Sequence, residues 1–523
     1  MPLAVQALLP LAALLAAAAM VRLRPRLAPG IAVIATGVAA LIALIELLRL
    51  APGEHVDVPY LTTFPFADLT IRLDGLSLAF LAVTLATAAL LMLVRQQDRQ
   101  DRRDPWMGWL LTSAAVCALM MAGNLLLLYI LLQVLTLAWS GALDETARRR
   151  RSIRLALQVG DIGLLLAAAG AIQSVGTSSF SGVPSDTFGV ASFALMLLPV
   201  VVRLGALALG ARRPLASVAF GPAIAWLAPA AYLLLRLLAL MGGRLPDRPS
   251  AVLLFGAAAL AAIVLGAAAI AGRSTADVMA LLVGAQAALA LALSSGSQPL
   301  LTIACTWLWL LLIPLAGLAS LRLAAGSAAE AMTLALLSAI PGTVAFVGVW
   351  LAGLGLNASG LLLGMIPIAI AVLVCGAAGL GRIRVPRSIQ VDVGAAWAGG
   401  LILVAAFPII AMNSLVLPAA STVRLVPRGT ANATPFGLTT AFGLWPALIV
   451  TLIAVAGLGA LGWLMGAGQL LLRVPARLGQ RWNLLEAIRV PRLPRARPAL
   501  PFWTQLVPWV GLALVVVVAS VRP

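Results

Sequence analysis

Long apolar runs separated by short polar loops make up nearly the whole sequence. A helix needs about 20 apolar residues to cross the hydrocarbon core of a bilayer, and roughly 16 stretches of the chain are suited to this. They lie near residues 2–21, 28–50, 75–95, 105–122, 124–143, 153–173, 187–210, 216–241, 251–272, 276–295, 298–321, 330–354, 358–380, 391–412, 435–470 and 502–521. The pattern therefore predicts an all-α polytopic membrane protein with about 14–16 transmembrane helices.

Two longer polar segments interrupt the apolar runs. Residues 51–73 alternate between apolar and polar positions over short stretches, which predicts a small hairpin on the outer surface. Residues 471–501 are rich in arginine. Their middle predicts a short basic amphipathic helix that lies on anionic lipid or docks on a partner.

Composition and charge refine this picture. The chain is 62% hydrophobic and 10% charged, which excludes an ordinary soluble protein. The net charge is +18, and all 35 basic residues are arginine. They are scattered over short loops between spans, so we expect no nucleic-acid binding.

The arginines also predict the topology. Arginine-rich loops alternate with arginine-poor loops, and the rich ones lie at 22–26, 95–103, 148–154, 212–213, 382–387 and 473–497. Arginine-rich loops stay on the cytoplasmic side of a membrane. We therefore expect a multi-pass protein of the inner (plasma) membrane with its N-terminus outside.

Cysteine and histidine offer no catalytic or metal chemistry. Cys117, Cys305 and Cys375 lie in apolar stretches without metal-ligand spacing, so we expect packed, reduced thiols. The single histidine, His55, lies in the outer loop between Glu54 and Asp57. We predict no metal site, no cofactor and no catalytic centre in this chain, since nothing in it is suited to flavin, haem or iron–sulfur.

Short motifs with a shared order carry a family resemblance. They are Asp74-Gly-Leu-Ser, Asn124-Leu-Leu-Leu-Leu-Tyr, Gly160-Asp161-Ile-Gly-Leu-Leu-Leu after a basic loop, Arg213-Pro214-Leu-Ala-Ser, Tyr232-Leu-Leu-Leu-Arg236, Ser274-Thr-Ala-Asp277 and Ser338-Ala-Ile-Pro341-Gly. In this order they resemble the antiporter-like subunits of respiratory complex I and the Mrp-type cation/proton antiporters. The resemblance covers residues 70–355, a little over half of the chain.

The resemblance implies an antiporter-like helix bundle with broken helices, and Pro214 and Pro341 mark the expected helix breaks. It also suggests three regions. Residues 1–70 would form two N-terminal helices and the outer loop, residues 71–355 the antiporter-like core, and residues 356–523 extra C-terminal helices with the basic segment 471–501 on the cytoplasmic side.

Several positions depart from the family. Its proton path uses a glutamate in the fifth helix, a lysine in the seventh, and a lysine or histidine in the eighth and twelfth. Here the glutamate's place resembles Gln133 and the seventh-helix lysine's place resembles Arg203; the eighth helix offers Trp226, and the twelfth-helix position falls near 305–309. An amide takes up no proton, and a guanidinium does not release one.

The remaining polar residues form a candidate proton path or a structural polar seam. A charge inside a transmembrane helix costs about 2.5–3.5 kcal/mol on insertion scales, so such residues pair or face water. The candidates are Gln133, Asp161, Arg203, Arg236, Asp277 and Asp74.

Each candidate has a structural reading beside the functional one. Asp161 and Arg203 form either a structural ion pair or part of a residual ion path, and Gln133 is expected to make an interhelical hydrogen bond. Arg236 is expected to extend from a helix end to the membrane interface. Asp277 is expected to favour the positive end of its helix.

The resemblance implies an antiporter-like membrane subunit of a multi-subunit complex I-like assembly, of the NADH–quinone oxidoreductase or membrane hydrogenase type. Its proton path would be weak or absent. Its partners would be other membrane subunits, which would hold the redox centres, together with lipid. The alternatives are a stand-alone or two-subunit secondary transporter of ions, protons or inorganic carbon, and a structural membrane protein without transport.

Overall fold

The computed structural model describes residues 3–61, 69–97, 106–142, 147–210, 221–272, 274–321, 323, 326–383, 393–427 and 429–457. Most of these residues are α-helical. The helices are α1 (Leu3–Leu23), α2 (Ala28–Arg49), α3 (Gly75–Gln97), α4 (Trp106–Met120), α5 (Leu125–Ala142), α6 (Ala147–Val175), α7 (Val190–Gly210), α8 (Ala228–Leu240), α9 (Arg248–Ile270), α10 (Thr275–Leu293), α11 (Pro299–Ala319), α12 (Ala328–Leu337), α13 (Val344–Ala358), α14 (Met365–Leu380), α15 (Val393–Ala406), α16 (Ile409–Ala411), α17 (Leu417–Val423) and α18 (Ala447–Gly457).

The helices have the length and composition of a polytopic membrane protein. In the described ranges, seven helical segments are long and apolar enough to cross a bilayer, and eight shorter apolar helices accompany them. Large apolar side chains such as Ile34, Leu260 and Leu373 are exposed on the outside of the bundle, where a membrane protein meets lipid tails. The predicted all-α membrane fold is confirmed.

Several helices are broken, as the predicted fold requires. The segments Val393–Ala406 and Ile409–Val423 meet at a bend of 80°. A π-helical turn, Gly221–Leu227, leads into α8. The predicted break at Pro341 lies between α12 and α13. Ala339 (φ 50°), directly after the C-cap of α12, has a left-handed backbone that ends this helix, and Gly342 (φ 89°) precedes the N-cap of α13. The break predicted at Pro214 lies outside the described residues.

Two small antiparallel sheets accompany the helices. Strands β1 (His55–Leu61) and β2 (Leu69–Asp74) form the hairpin predicted within residues 51–73, with His55 opposite Asp74. Strands β3 (Ala431–Thr434), β4 (Gly437–Thr440) and β5 (Gly443–Trp445) form a meander.

The predicted helical span 435–470 is wrong in its first part. This part contains β4 and β5, and α18 begins only at Ala447. Gly437 and Gly443 are poor helix formers, the threonines favour strands, and Pro446 is compatible with only the start of a helix. The basic segment 471–501 and the span predicted at 502–521 lie outside the described residues.

The most deeply buried helices are α8 and α11, and nearly every residue of each is buried. α11 packs against α3, α10 and α13, so it runs through the centre of the bundle. Packing also crosses the predicted boundary at residue 355, because α9 contacts α14 and α12 contacts α15. The division into three regions stays a prediction.

Candidate polar site in the membrane bundle

Three predicted side chains meet where α5, α6 and α7 pack together. The Asp161 and Arg203 side chains are 0% and 1% exposed. Arg203 Nη2 donates to Asp161 Oδ2 at 3.0 Å, and Arg203 Nη1 donates to Asp161 Oδ1. Gln133 Nε2 donates to Asp161 Oδ2 at 3.2 Å. The structure therefore brings Gln133, Asp161 and Arg203 into one cluster, which we call the α5–α7 seam.

Two glycines on α6 determine how closely α7 approaches. A methyl group at Gly163 would overlap the carbonyl oxygen of Leu195, and one at Gly160 would lie 2.9 Å from Cβ of Val202. At Gly163 the neighbouring atom is backbone, so only glycine fits there, whereas at Gly160 the neighbour is the Val202 side chain. The contact places Asp161, between the two glycines in sequence, within reach of Arg203 on α7.

The seam leaves the carboxylate fully engaged. Both Asp161 oxygens accept from the Arg203 guanidinium, a two-bond geometry that is stronger than a single neutral hydrogen bond. Arg203 Nη1 also donates to the carbonyl of Pro199 at 3.3 Å. Because the pair is net neutral and shielded from solvent, its two charges stabilise each other where either alone would be costly.

A second buried pair joins α8 to the β1–β2 hairpin. Arg236 Nη1 donates to Asp74 Oδ2 at 2.6 Å and Nη2 donates to Asp74 Oδ1 at 2.9 Å. The Tyr232 hydroxyl accepts from Arg236 Nε at 3.2 Å and donates to the carbonyl of Met120 at 2.7 Å. The guanidinium also lies 5.3 Å from the ring centre of Phe180. We call this group the α3–α8 cluster.

The expectation that Arg236 extends to the membrane interface is wrong. Its side chain is 3% exposed and points to Asp74. Nearly every residue of α8 is buried, and the charge of Arg236 is neutralised inside the protein.

The α3–α8 cluster continues to the surface through the hairpin. Arg72 Nε lies 3.4 Å from Asp74 Oδ2 and 3.7 Å from Asp57 Oδ1. His55 Nε2 lies 3.9 Å from Asp57 Oδ2, and the His55 side chain is 47% exposed. Positive and negative side chains thus alternate from the bundle interior into the β1–β2 hairpin, in the order Arg236, Asp74, Arg72 and Asp57.

Asp74 is the last residue of β2 and precedes the α3 span. Burial alone would raise its pKa, but the Arg236 charge and hydrogen bonds, helped by the Ser77 amide and Arg72, outweigh burial. They hold the pKa of Asp74 at about 2, below its ordinary value of 3.8. The carboxylate therefore stays ionised at any physiological pH.

Asp277 is not brought to either cluster. Its carboxylate accepts from Ser274 N at 3.3 Å and its own N–H donates to Ser274 Oγ at 3.1 Å, a capping box at the start of α10. This agrees with the expected role at the positive end of the helix. The described contacts give Asp277 no link to the α5–α7 seam.

The family position predicted near residues 305–309 lies on α11. The next helix along the chain is α12. α12 carries Glu330, whose Oε2 accepts from Gly326 N at 2.6 Å at the helix start. The helix break that follows α12, residues 338–343, has no titratable side chain. The eighth-helix position, Trp226, is buried against Trp139 with ring centres 5.0 Å apart.

Sequence reasoning overlooked Gln286 on α10. It is 2% exposed, and its Nε2 donates to the carbonyl of Leu337 at 3.3 Å, at the end of α12. The sequence did contain an indication of this residue, because Gln286, like Gln133, is a lone amide inside an apolar run. Across the described ranges, His, Cys, Asp and Glu form no group of three or more that could hold a metal ion.

No protein-family model matches the sequence, and no curated protein matches it. Solved structures do match its fold. A chain of the Mrp complex from Dietzia sp. DQ12-45-1b has a TM-score of 0.66 at 18% identity, covering 100% of this chain. This chain spans 63% of the length of that one.

Two further similarities extend to respiratory complexes. A chain of an archaeal membrane-bound sulfane sulfur reductase has a TM-score of 0.68 at 18% identity, covering 88% of this chain and 84% of its own length. A chain of respiratory complex I from Thermus thermophilus has a TM-score of 0.63 at 19% identity, covering 81% and 99%. The predicted resemblance to antiporter-like subunits is confirmed at the level of the fold.

Proposed function

We propose that this chain is an antiporter-like membrane subunit of a multi-subunit, complex I-like assembly, of the NADH–quinone oxidoreductase or membrane hydrogenase type. In this proposal the α5–α7 seam is a fixed polar contact and carries no protons. The observation that supports a seam without proton transfer is the pair of hydrogen bonds from Arg203 to Asp161, together with the hydrogen bond from Gln133.

A proton relay needs groups that gain and lose a proton during turnover. Gln133 has an amide, which does neither, and the guanidinium of Arg203 keeps its proton. Only Asp161 could change its state, and both of its oxygens already accept hydrogen bonds. Protonation of Asp161 would leave Arg203 as an unpaired charge in the bundle, which is strongly unfavourable.

Several features support membership of an assembly. The three solved structures compared above are chains of membrane complexes. Redox centres would lie in partner subunits, so this chain would supply scaffold and contact surface. The alternation of arginine-rich loops supports a plasma-membrane location with the N-terminus outside. We keep residues 71–355 as the proposed core and residues 356–523 as its C-terminal extension.

Vesicle flux measurements test the fixed seam. We expect the purified chain, reconstituted with an internal pH-sensitive dye, to dissipate an imposed proton gradient no faster than empty vesicles. Asp161→Asn should leave that rate unchanged, as should the control Asp277→Asn at the capping box. Proton flux through the wild-type chain that disappears in Asp161→Asn protein shown to be folded and monodisperse, but persists in Asp277→Asn, would overturn the fixed seam.

Purification tests the assembly. We expect a tagged chain, extracted from its native membrane in mild detergent without crosslinker, to bring down other membrane subunits and a redox-active soluble arm. A lone monodisperse chain would contradict the proposal. If that lone chain also moved protons or bicarbonate across vesicles, the secondary-transporter alternative would replace it.

A further inference from the structure

A buried side-chain atom of α10, beside the break between α12 and α13, has no hydrogen-bond partner in the described part of the chain. Most groups there are satisfied: the carbonyl of Leu337 accepts from Gln286 Nε2 at 3.3 Å, and that of Val344 accepts from Trp307 Nε1 at 2.7 Å. The carbonyl of Gly342 accepts from Thr451 Oγ1 at 3.4 Å. In the described part of the chain, Gln286 Oε1 accepts no hydrogen bond.

The contact with Leu337 fixes the orientation of the Gln286 amide. If the amide were flipped, its oxygen would face the carbonyl oxygen of Leu337, and two acceptors would meet. The nitrogen must therefore face Leu337, so Oε1 is the end left over. An unmet acceptor at 2% exposure costs about 1–3 kcal/mol, so a donor is expected beside it.

Gln286 lines a small cavity at this position. The cavity has a volume of about 10 Å³, close to the space that one water molecule requires. Its other walls are Leu308, Leu311, Leu312 and Leu315 of α11, together with Val344 and Ala345 of α13.

The α13 side of the cavity is the first turn of a helix. Thr343 precedes the helix, and its Oγ1 accepts from Phe346 N at 3.4 Å. Val344 and Ala345, the next two residues, carry N–H groups that have no acceptor within the helix. Val344, Ala345 and Gln286 all line the cavity, so these N–H groups are candidate donors to a molecule bound there, and Gln286 Oε1 is a candidate acceptor. A carboxylate or other anion fits poorly because it would face the amide oxygen.

We propose that the cavity binds one ordered water molecule, which donates to Gln286 Oε1 and accepts from the first turn of α13. The water links α10 to α13 across the helix break. It supplies the hydrogen-bond donor that the side chains do not give to Gln286 Oε1. Because the remaining walls are leucine side chains, this site holds a single water and no continuous chain of waters. The proposal is independent of the function proposed above.

A single-particle structure of the purified wild-type chain, at a resolution that shows ordered water, tests the site directly. We expect a density peak within hydrogen-bond distance of Gln286 Oε1, bounded by Leu311 and Ala345. A map that shows waters elsewhere in the bundle but no peak in this cavity would overturn the proposal.

The variant Gln286→Met gives a second test through the thermal midpoint, Tm, in detergent. With water bound, the variant loses two hydrogen-bonded links, and we expect Tm to fall by about 2–4 °C. With a dry cavity, the loss of the Leu337 contact would be offset by removal of an unmet oxygen. The control Leu311→Met alters the same wall without a polar change. A fall no larger than that of the control would contradict the bound water.

Discussion

The α5–α7 seam and the α3–α8 cluster contain the same chemical pair, an aspartate held by two bonds from an arginine, yet they differ in their support. Among the described residues, Asp161 and Arg203 have, beyond each other, only the Gln133 amide and the Pro199 carbonyl as partners. The α3–α8 pair has the Ser77 amide, Arg72, Tyr232 and the Phe180 ring. Both pairs are buried to a similar degree. The arginine of the seam depends almost entirely on its aspartate, whereas the arginine of the α3–α8 cluster has further partners.

The largest expected effect is therefore at the seam. Asp161→Asn leaves Arg203 with an unpaired charge and should destabilise the fold by about 3–5 kcal/mol. The measurement is the detergent Tm together with the yield of monodisperse protein.

A double variant sharpens this prediction. Asp161→Leu combined with Arg203→Met removes both charges, and we expect Tm to recover close to the wild-type value, because apolar replacements of buried ion pairs are often neutral or stabilising. If the double variant were as unstable as Asp161→Asn, the loss would have to come from packing and not from an unpaired charge.

A smaller effect is expected in the α3–α8 cluster. Asp74→Asn keeps the shape of the side chain, and Arg236 retains the Tyr232 hydroxyl and the Phe180 ring. We expect a loss of about 1.5–3 kcal/mol, the range for hydrogen bonds to charged groups. The same Tm assay applies. If Asp74→Asn lowered stability as much as Asp161→Asn or more, the proposed difference between the two sites would be contradicted.

The pH dependence of the Asp74 contribution gives a third, smaller effect. The folded pKa of Asp74 is about 2 against 3.8 for the free side chain, so its stabilisation is fully present above about pH 4 and is lost as the pH falls towards 2. The Tm difference between wild type and Asp74→Asn should be constant from pH 7 to 5 and should narrow below pH 4. A difference that stayed constant down to pH 2 would contradict the lowered pKa.

The smallest effect is expected at Gln133. Gln133→Leu removes one interhelical hydrogen bond to Asp161. Such bonds contribute about 0.6 kcal/mol on average in membrane proteins. Tm should therefore change by a degree or two, and Asp161 should remain paired with Arg203. A loss comparable with that of Asp161→Asn would show that the amide supports the pair far more than one bond allows.

Much of the fold was predictable because lipid imposes a simple rule on sequence. Spans of apolar residues predicted the helices, and the alternation in residues 51–73 predicted the hairpin. The failure at 435–470 has a physical cause. Apolar content alone does not separate a helix from short strands, and glycine and threonine decided the outcome there.

The polar sites were predictable only as candidates. A charged residue in an apolar run shows that it needs a partner, but it does not identify the partner residue. Asp74 and Arg236 are 162 positions apart, so only the packing of α3 on α8 reveals the pair. Gln286, like Gln133, is an amide inside an apolar run. Its role depends on the end of α12 lying beside it, which the sequence does not show.

Gly163 has a consequence for how this protein could change over evolutionary time. We expect that the charges of the seam can be removed together, as in the double variant at 161 and 203. Gly163 admits no such compensation, because any side chain there would meet the backbone of Leu195. Among divergent relatives, a glycine at this place should therefore persist after every charged residue of the seam has been replaced, and it offers a better signature for finding them.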